Sequence, residues 1–63
     1  MQNRFWLWWE DPSTGVSETI GYYRSYKAAS NAFRDAISEN KHLHYHMEDT
    51  RGCNNLDYDP NEY

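Results

Sequence analysis

The chain has little of what usually braces a small domain. Among 63 residues it holds one cysteine, Cys53, so an internal disulfide cannot form. Its three glycines, Gly15, Gly21 and Gly52, stand apart, which excludes a glycine-rich phosphate loop. Long hydrophobic runs are also missing. The longest, Phe5-Trp6-Leu7-Trp8-Trp9, is too short for a signal-peptide core and far too short to cross a membrane, so a soluble cytoplasmic protein with no membrane partner is expected. Basic residues are few, six Lys and Arg against ten Asp and Glu, and they form no stripe of the kind duplex nucleic acid requires. No direct contact with nucleic acid is expected. Exposed Trp6 and Trp8 could stack on single-stranded bases, but the basic funnel that holds such a strand is missing.

Catalytic parts are absent too. Cys53 lies in loop-like sequence with acidic neighbours, which do not stabilise a thiolate. Glu48-Asp49 and the pair Asp57 and Asp59 lie in tail-like sequence with no pocket in prospect to raise a carboxyl pKa. The chain is expected not to be an enzyme and to need no cofactor.

What is abundant is aromatic: 17% of the chain, with three Trp and six Tyr. Sixty-three residues make one domain near the lower size limit for folding unaided. Roughly ten large apolar side chains, at about 1.5–3 kcal/mol each, make a thin but adequate core. Side chains alternate along a strand, so Phe5, Leu7 and Trp9 turn one way and Trp6 and Trp8 the other. One helix covers one sheet face. Trp6 and Trp8 therefore need the tail, a second copy of the chain or a partner protein, as amphipathic aromatics at an interface do.

Local signals divide the chain into β-β-α-β. A strand over about Arg4–Glu10 runs into Asp11-Pro12-Ser13-Thr14-Gly15, a hairpin turn in which Pro presets φ and Gly supplies the left-handed residue. A second strand, about Val16–Tyr23, places Val16, Ile20 and Tyr22 on one face and Ser17, Thr19, Gly21 and Tyr23 on the other. Ser25 is the expected N-cap of a helix to about Glu39, with Ala29, Ala32, Phe33, Ala36 and Ile37 as its apolar stripe and Asn40 as a left-handed stop. A third strand, about His42–Glu48, turns Leu43, Tyr45 and Met47 one way and His42, His44 and His46 the other. A right-handed crossover gives a three-stranded antiparallel sheet of order 2-1-3, an α+β fold with the helix on one face. Phe5, Leu7, Trp9, Ile20, Leu43, Tyr45 and Met47 would then meet Ala29, Ala32, Phe33 and Ala36. Residues 1–48 form the domain and 49–63 an irregular acidic tail, able to fold back with Leu56 and Tyr58 over the tryptophans.

Charge is segregated. Residues 1–47 balance, whereas Glu48, Asp49, Asp57, Asp59 and Glu62 stand against Arg51 alone, so the whole net charge of −4 belongs to residues 48–63. Such a tail either keeps the chain soluble or suits a basic protein surface. The histidine stripe offers two imidazoles close enough to share an ion, or a surface that responds to pH. Without an interleaved Asp or Glu to orient them no metal is expected.

The β-β-α-β order, the small size and the lack of catalytic parts resemble small phage-encoded inhibitors of host machinery. The basic-Phe-Trp start Arg4-Phe5-Trp6, the short hairpin, the Ala-rich helix and a last strand leading to Arg51 and Cys53 are similar to the podophage inhibitors of host RNA polymerase, over roughly residues 4–53. The Trp-Leu-Trp-Trp continuation, the histidines and the acidic tail depart from that pattern. Anti-CRISPR proteins and inhibitors of DNA-repair enzymes share the same physical description. The resemblance implies a non-enzymatic protein of the host-cell cytoplasm that occludes a host protein. Trp6, Trp8, Tyr23, His44, Glu48, Asp49, Asp57 and Asp59 are the expected contact residues. A small homodimeric structural or regulatory domain is the alternative reading, and a histidine metal module a third.

Overall fold

The computed structural model describes residues 4–62. Strands β1 (Phe5–Glu10) and β2 (Ser17–Tyr23) form a hairpin, helix α1 (Tyr26–Glu39) crosses over the sheet, and strands β3 (His44–Asp49) and β4 (Leu56–Tyr58) follow before a short 3-10 turn at Pro60–Glu62. All pairings are antiparallel and the order is β2-β1-β3-β4. The three expected strands thus take the expected order. The fourth comes from sequence read as irregular tail.

The hairpin closes as its residues dictate. The Asp11 carboxylate accepts hydrogen bonds from the Ser13 backbone N–H at 2.9 Å and the Ser13 hydroxyl at 2.7 Å, which holds its own pKa below the usual carboxylate value. Gly15 has φ +79°, a conformation that other residues rarely adopt. The helix starts as anticipated, with the Ser25 hydroxyl accepting from the Ala28 N–H at 3.1 Å. Its end differs. Asn40 is extended, at φ −149°, and not left-handed. There its N–H reaches Ala36 O at 3.1 Å while its side chain accepts from the His42 N–H at 3.0 Å. That second bond makes an Asx turn of Asn40–His42, so β3 begins at His44 and His42 is outside the sheet.

The core lies between the helix and one sheet face. Phe5, Leu7, Ala29, Phe33, Tyr45 and Met47 are buried, and Trp9, Tyr23, Ala32, Ala36, Ile37, Leu43, Leu56 and Tyr58 pack around them. Alanine at most of the helix stripe lets α1 approach closely, so the two phenylalanines, Leu7 and Met47 fill the space with few residues. The Tyr45 hydroxyl lies 2.9 Å from Ala36 O, which also accepts from the Asn40 N–H, and 2.8 Å from Asn40 O, so it ties the sheet to the helix end. Its burial raises the phenol pKa.

A bulge corrects the reading of β2. Leu7 pairs with Gly21 but Trp8 pairs with Thr19, so Ile20 is an extra residue on that strand. Beyond it every side chain changes face. Tyr22 lies opposite Trp6 and Tyr23 opposite Phe5, so Tyr23 joins the core and Tyr22 the open face, the reverse of a plain alternation. Ile20 stays 37% exposed, at the rim of the core and not inside it.

Asp49 anchors the sheet's far end. Its side chain is fully buried and accepts both guanidinium bonds of Arg4, at 2.8 and 2.9 Å, and the Arg51 N–H at 2.9 Å. Its own N–H donates to the Asn55 side chain at 2.8 Å, and its carbonyl accepts from Gly52, whose φ is +72°. These bonds fold 50–55 back on β3 and set β4 in register, with Met47 opposite Leu56 and Tyr45 opposite Tyr58. Leu56 and Tyr58 consequently pack on the helix side. They do not fold over the tryptophans.

Two outcomes test this account. Leu7 is fully buried, so Leu7→Ala should cost about 2–5 kcal/mol in urea unfolding. The Arg4 guanidinium, opposed in part by burial, holds the Asp49 carboxyl well below the usual carboxylate range. A carboxyl depressed in the folded state contributes stability that is present above its unfolded pKa of about 4 and is lost as pH falls toward the folded value. The melting temperature should therefore drop in acid below about pH 4. Asp49→Asn should melt lower at neutral pH and show less of that acid dependence. An unchanged acid limb would remove Asp49 as its source.

Candidate functional site

Strand parity defines the face opposite the helix. It carries Trp6, Trp8 and Glu10 from β1, Ser17, Thr19 and Tyr22 from β2, His44, His46 and Glu48 from β3, and Asp57 from β4. No lysine or arginine is among these strand positions. Rings cross the sheet as one ladder. Tyr22 stacks on Trp6 with centroids 6.4 Å apart and planes 11° off parallel, and Trp6 on Trp8 at 5.4 Å and 25°. Trp8 stacks on His46 at 4.1 Å and 19°, and His46 on His44 at 4.1 Å and 30°. Trp6 and Trp8 are half-buried because the ladder covers their flanks, while Tyr22 is 58% exposed.

Polar groups pin the ladder at both ends. The Trp6 indole N–H donates to the Thr19 hydroxyl at 3.0 Å. At the other end one oxygen of Asp57, Oδ1, lies 3.0 Å from His44 Nε2 and 2.7 Å from His46 Nδ1. Two polar atoms in the middle, Trp8 Nε1 and His46 Nε2, are buried without a hydrogen-bond partner. Buried N–H groups and ring nitrogens are ordinarily satisfied, so these two stand out.

Of the residues expected to contact a partner, Trp6, Trp8, His44, Glu48 and Asp57 come together on this face, with Glu48 exposed beside Trp6. Tyr23 and Asp49 do not. Tyr23 packs on the core, and the Asp49 carboxylate is enclosed by Arg4 and the turn. Asp59 is half-buried, with a carboxylate oxygen accepting from the Asn61 N–H at 2.9 Å. His46 joins them on the face where its strand parity put it, whereas Glu10 and Tyr22 were missed. Glu10 shares the parity of Trp6 and Trp8 and was legible on that ground, whereas Tyr22 depends on the bulge. The acidic company that the histidines lacked in sequence arrives from Glu10 on β1 and Asp57 on β4.

A separate open concavity of about 300 Å³ lies across the molecule, between Trp9, Ile20 and Leu43 and the helix end at Ala36, Glu39 and Asn40. Its titratable groups are Glu39 and Tyr45. Among the described residues no helix is long and apolar enough to cross a membrane. Comparison with protein-family models, with curated proteins and with solved structures gives no match.

Because Trp6 and Trp8 stand outside the helix-side core, Trp6→Ala with Trp8→Ala should leave the far-UV dichroism of the sheet and helix in place. Global unfolding of the double variant would make the ladder a second core.

Proposed function

We propose that the domain is a non-enzymatic binding module that docks its ring ladder onto a basic, arginine-bearing surface of a partner protein. The observation that carries this reading is the composition of the open face: stacked Tyr22, Trp6, Trp8, His46 and His44, with Glu10, Glu48 and Asp57 at its edges and no cation among its strand positions. Guanidinium groups stack on Trp and Tyr faces and pair with carboxylates, so both halves of this face favour the same partner chemistry. A soluble domain also gains by covering a contiguous aromatic surface.

Basic surfaces that bear arginine are those on which proteins hold nucleic acid. Covering one would block it, which is the mode of action that the resemblance to phage-encoded inhibitors implies. The proposed target is accordingly a host protein such as a defence nuclease complex, RNA polymerase or a DNA-repair enzyme. The acidic residues of the chain's last quarter enter through Asp57, which β4 carries into the ladder. A symmetric homodimer closing over the same tryptophans is the competing arrangement, and the two separate experimentally.

Affinity capture from a bacterial lysate should retain a nucleic-acid-binding protein that double-stranded DNA displaces and that Trp6→Ala with Trp8→Ala no longer retains. Its association with the purified chain should slow steeply as salt rises, since screening shortens to about 8 Å at physiological ionic strength. Glu48→Gln with Asp57→Asn should flatten that slope and lower the on-rate more than it raises the off-rate. Capture that the tryptophan substitutions leave unchanged would overturn the reading. So would sedimentation as a dimer whose melting temperature rises with protein concentration.

A further inference from the structure

The histidine end of the ladder has a chemistry of its own. A carboxylate oxygen of Glu10 and one ring nitrogen from each of His44 and His46 lie within 4.8 Å of one another. All three side chains are half-buried, which shields a bound ion from competing water without closing the site. They come from two neighbouring strands, with Glu10 directly opposite His44 and His46 two residues along the same face. This backbone does not have to move to bring them together.

A second observation concerns Asp57. A neutral imidazole that donates to a carboxylate through one nitrogen presents a lone pair on the other. Donation to Asp57 Oδ1 from His46 Nδ1 and His44 Nε2 leaves His46 Nε2 and His44 Nδ1 as the lone-pair nitrogens. His46 Nε2 is the very atom that is buried without a partner. Carboxylates that hold the far nitrogen of a ligating histidine set its tautomer and raise its basicity.

We infer that Glu10, His44 and His46 form a binding site for a divalent transition-metal ion of the zinc type, with Asp57 as the positioning residue for both imidazoles. Two imidazoles and a carboxylate suit zinc, leaving a fourth position for water or for a donor from another molecule. Ligand bonds of about 2.0–2.2 Å place tetrahedral donors about 3.3–3.6 Å apart. Binding therefore draws the three side chains inward and turns the two imidazoles out of their stack. Because Trp8 stacks on His46, its emission reports that movement. This site is independent of the docking reading: zinc uptake needs no partner protein, and a partner can bind Trp6 and Trp8 without the ion.

The test is a zinc titration of the intact chain, followed by calorimetry and tryptophan emission, with cobalt absorption as a report of ligand geometry. One ion per chain is expected, with a change in emission and a raised melting temperature. Glu10→Gln and His44→Ala should each weaken binding at least about tenfold, and Asp57→Asn by about 10- to 100-fold. His42→Ala and Cys53→Ser should bind like the parent, since neither residue belongs to the site. Melting without zinc checks that each variant is folded. If His44→Ala does not fold, Glu10→Gln decides. No uptake below about 100 μM zinc, or wild-type affinity in Glu10→Gln, would overturn the proposal.

Discussion

Everything in this fold answers to one constraint, the alternation of side chains along a central strand that is apolar at almost every position. Strand β1 has hydrogen-bonded neighbours on both sides and lies at the middle of a sheet with a single helix to cover it. Phe5 and Leu7 take the helix side and are essentially inaccessible. Trp6 and Trp8, one residue out of phase, have no helix to meet. The chain's solution is lateral. Each ring on the open face covers the flank of the next, so the tryptophans lose much of their exposure through stacking across strands and not through a second layer. Offset stacking of this kind adds about 0.5–1.5 kcal/mol per pair beyond area burial. It leaves ring edges along the ladder and the exposed Tyr22 at its end open, and those are what the proposed partner would meet.

A domain this small also needs its sheet edge held, and the holding is electrostatic. Asp49 is buried, which is costly for a carboxylate unless its oxygens are filled. Arg4 fills them from the start of β1, and the Arg51 N–H adds a third bond. The same residue's backbone meets Asn55 and Gly52, so one side chain and its peptide groups join the first strand, the third strand and the connection to the fourth. Without that connection β4 would not lie beside β3. Asp57 would then not reach the histidines. The packing of the core and the chemistry of the open face are thus linked through a residue that belongs to neither.

The two ends of the ladder divide the work. Tyr22, Trp6 and Trp8 give it area and a π surface, while His46, His44, Asp57 and Glu10 give it donors, acceptors and negative charge. The cationic protein surface proposed as partner and the divalent ion inferred for the histidine end would be drawn to the same field by the same physics. They would engage different atoms, ring faces in the first case and in-plane lone pairs in the second.

Much of this was legible in the sequence because it is local. Period-two alternation in Phe5–Glu10 and Tyr45–Met47, the Asp-Pro-Ser-Thr-Gly turn, the Ser25 cap and the alanine stripe each depend on residues a few positions apart. With the right-handed crossover they set the order of three strands and most of the core. Tertiary structure decided the rest. The bulge at Ile20 comes from how β2 must register against β1, and a single extra residue exchanged the roles of Tyr22 and Tyr23. Asn40 stayed extended because its side chain caps His42, which took that histidine out of the sheet. A three-residue strand at Leu56–Tyr58 carries too little pattern to be read alone, and it follows a connection held by the Asp49 N–H on the Asn55 side chain. Sequence by itself determined which residues of β1, β3 and α1 avoid water on the helix side, since there parity and period run without interruption. Which polar groups meet was settled only in three dimensions, because Arg4 and Asp49, or His44 and Asp57, become neighbours only after strands distant along the chain have paired.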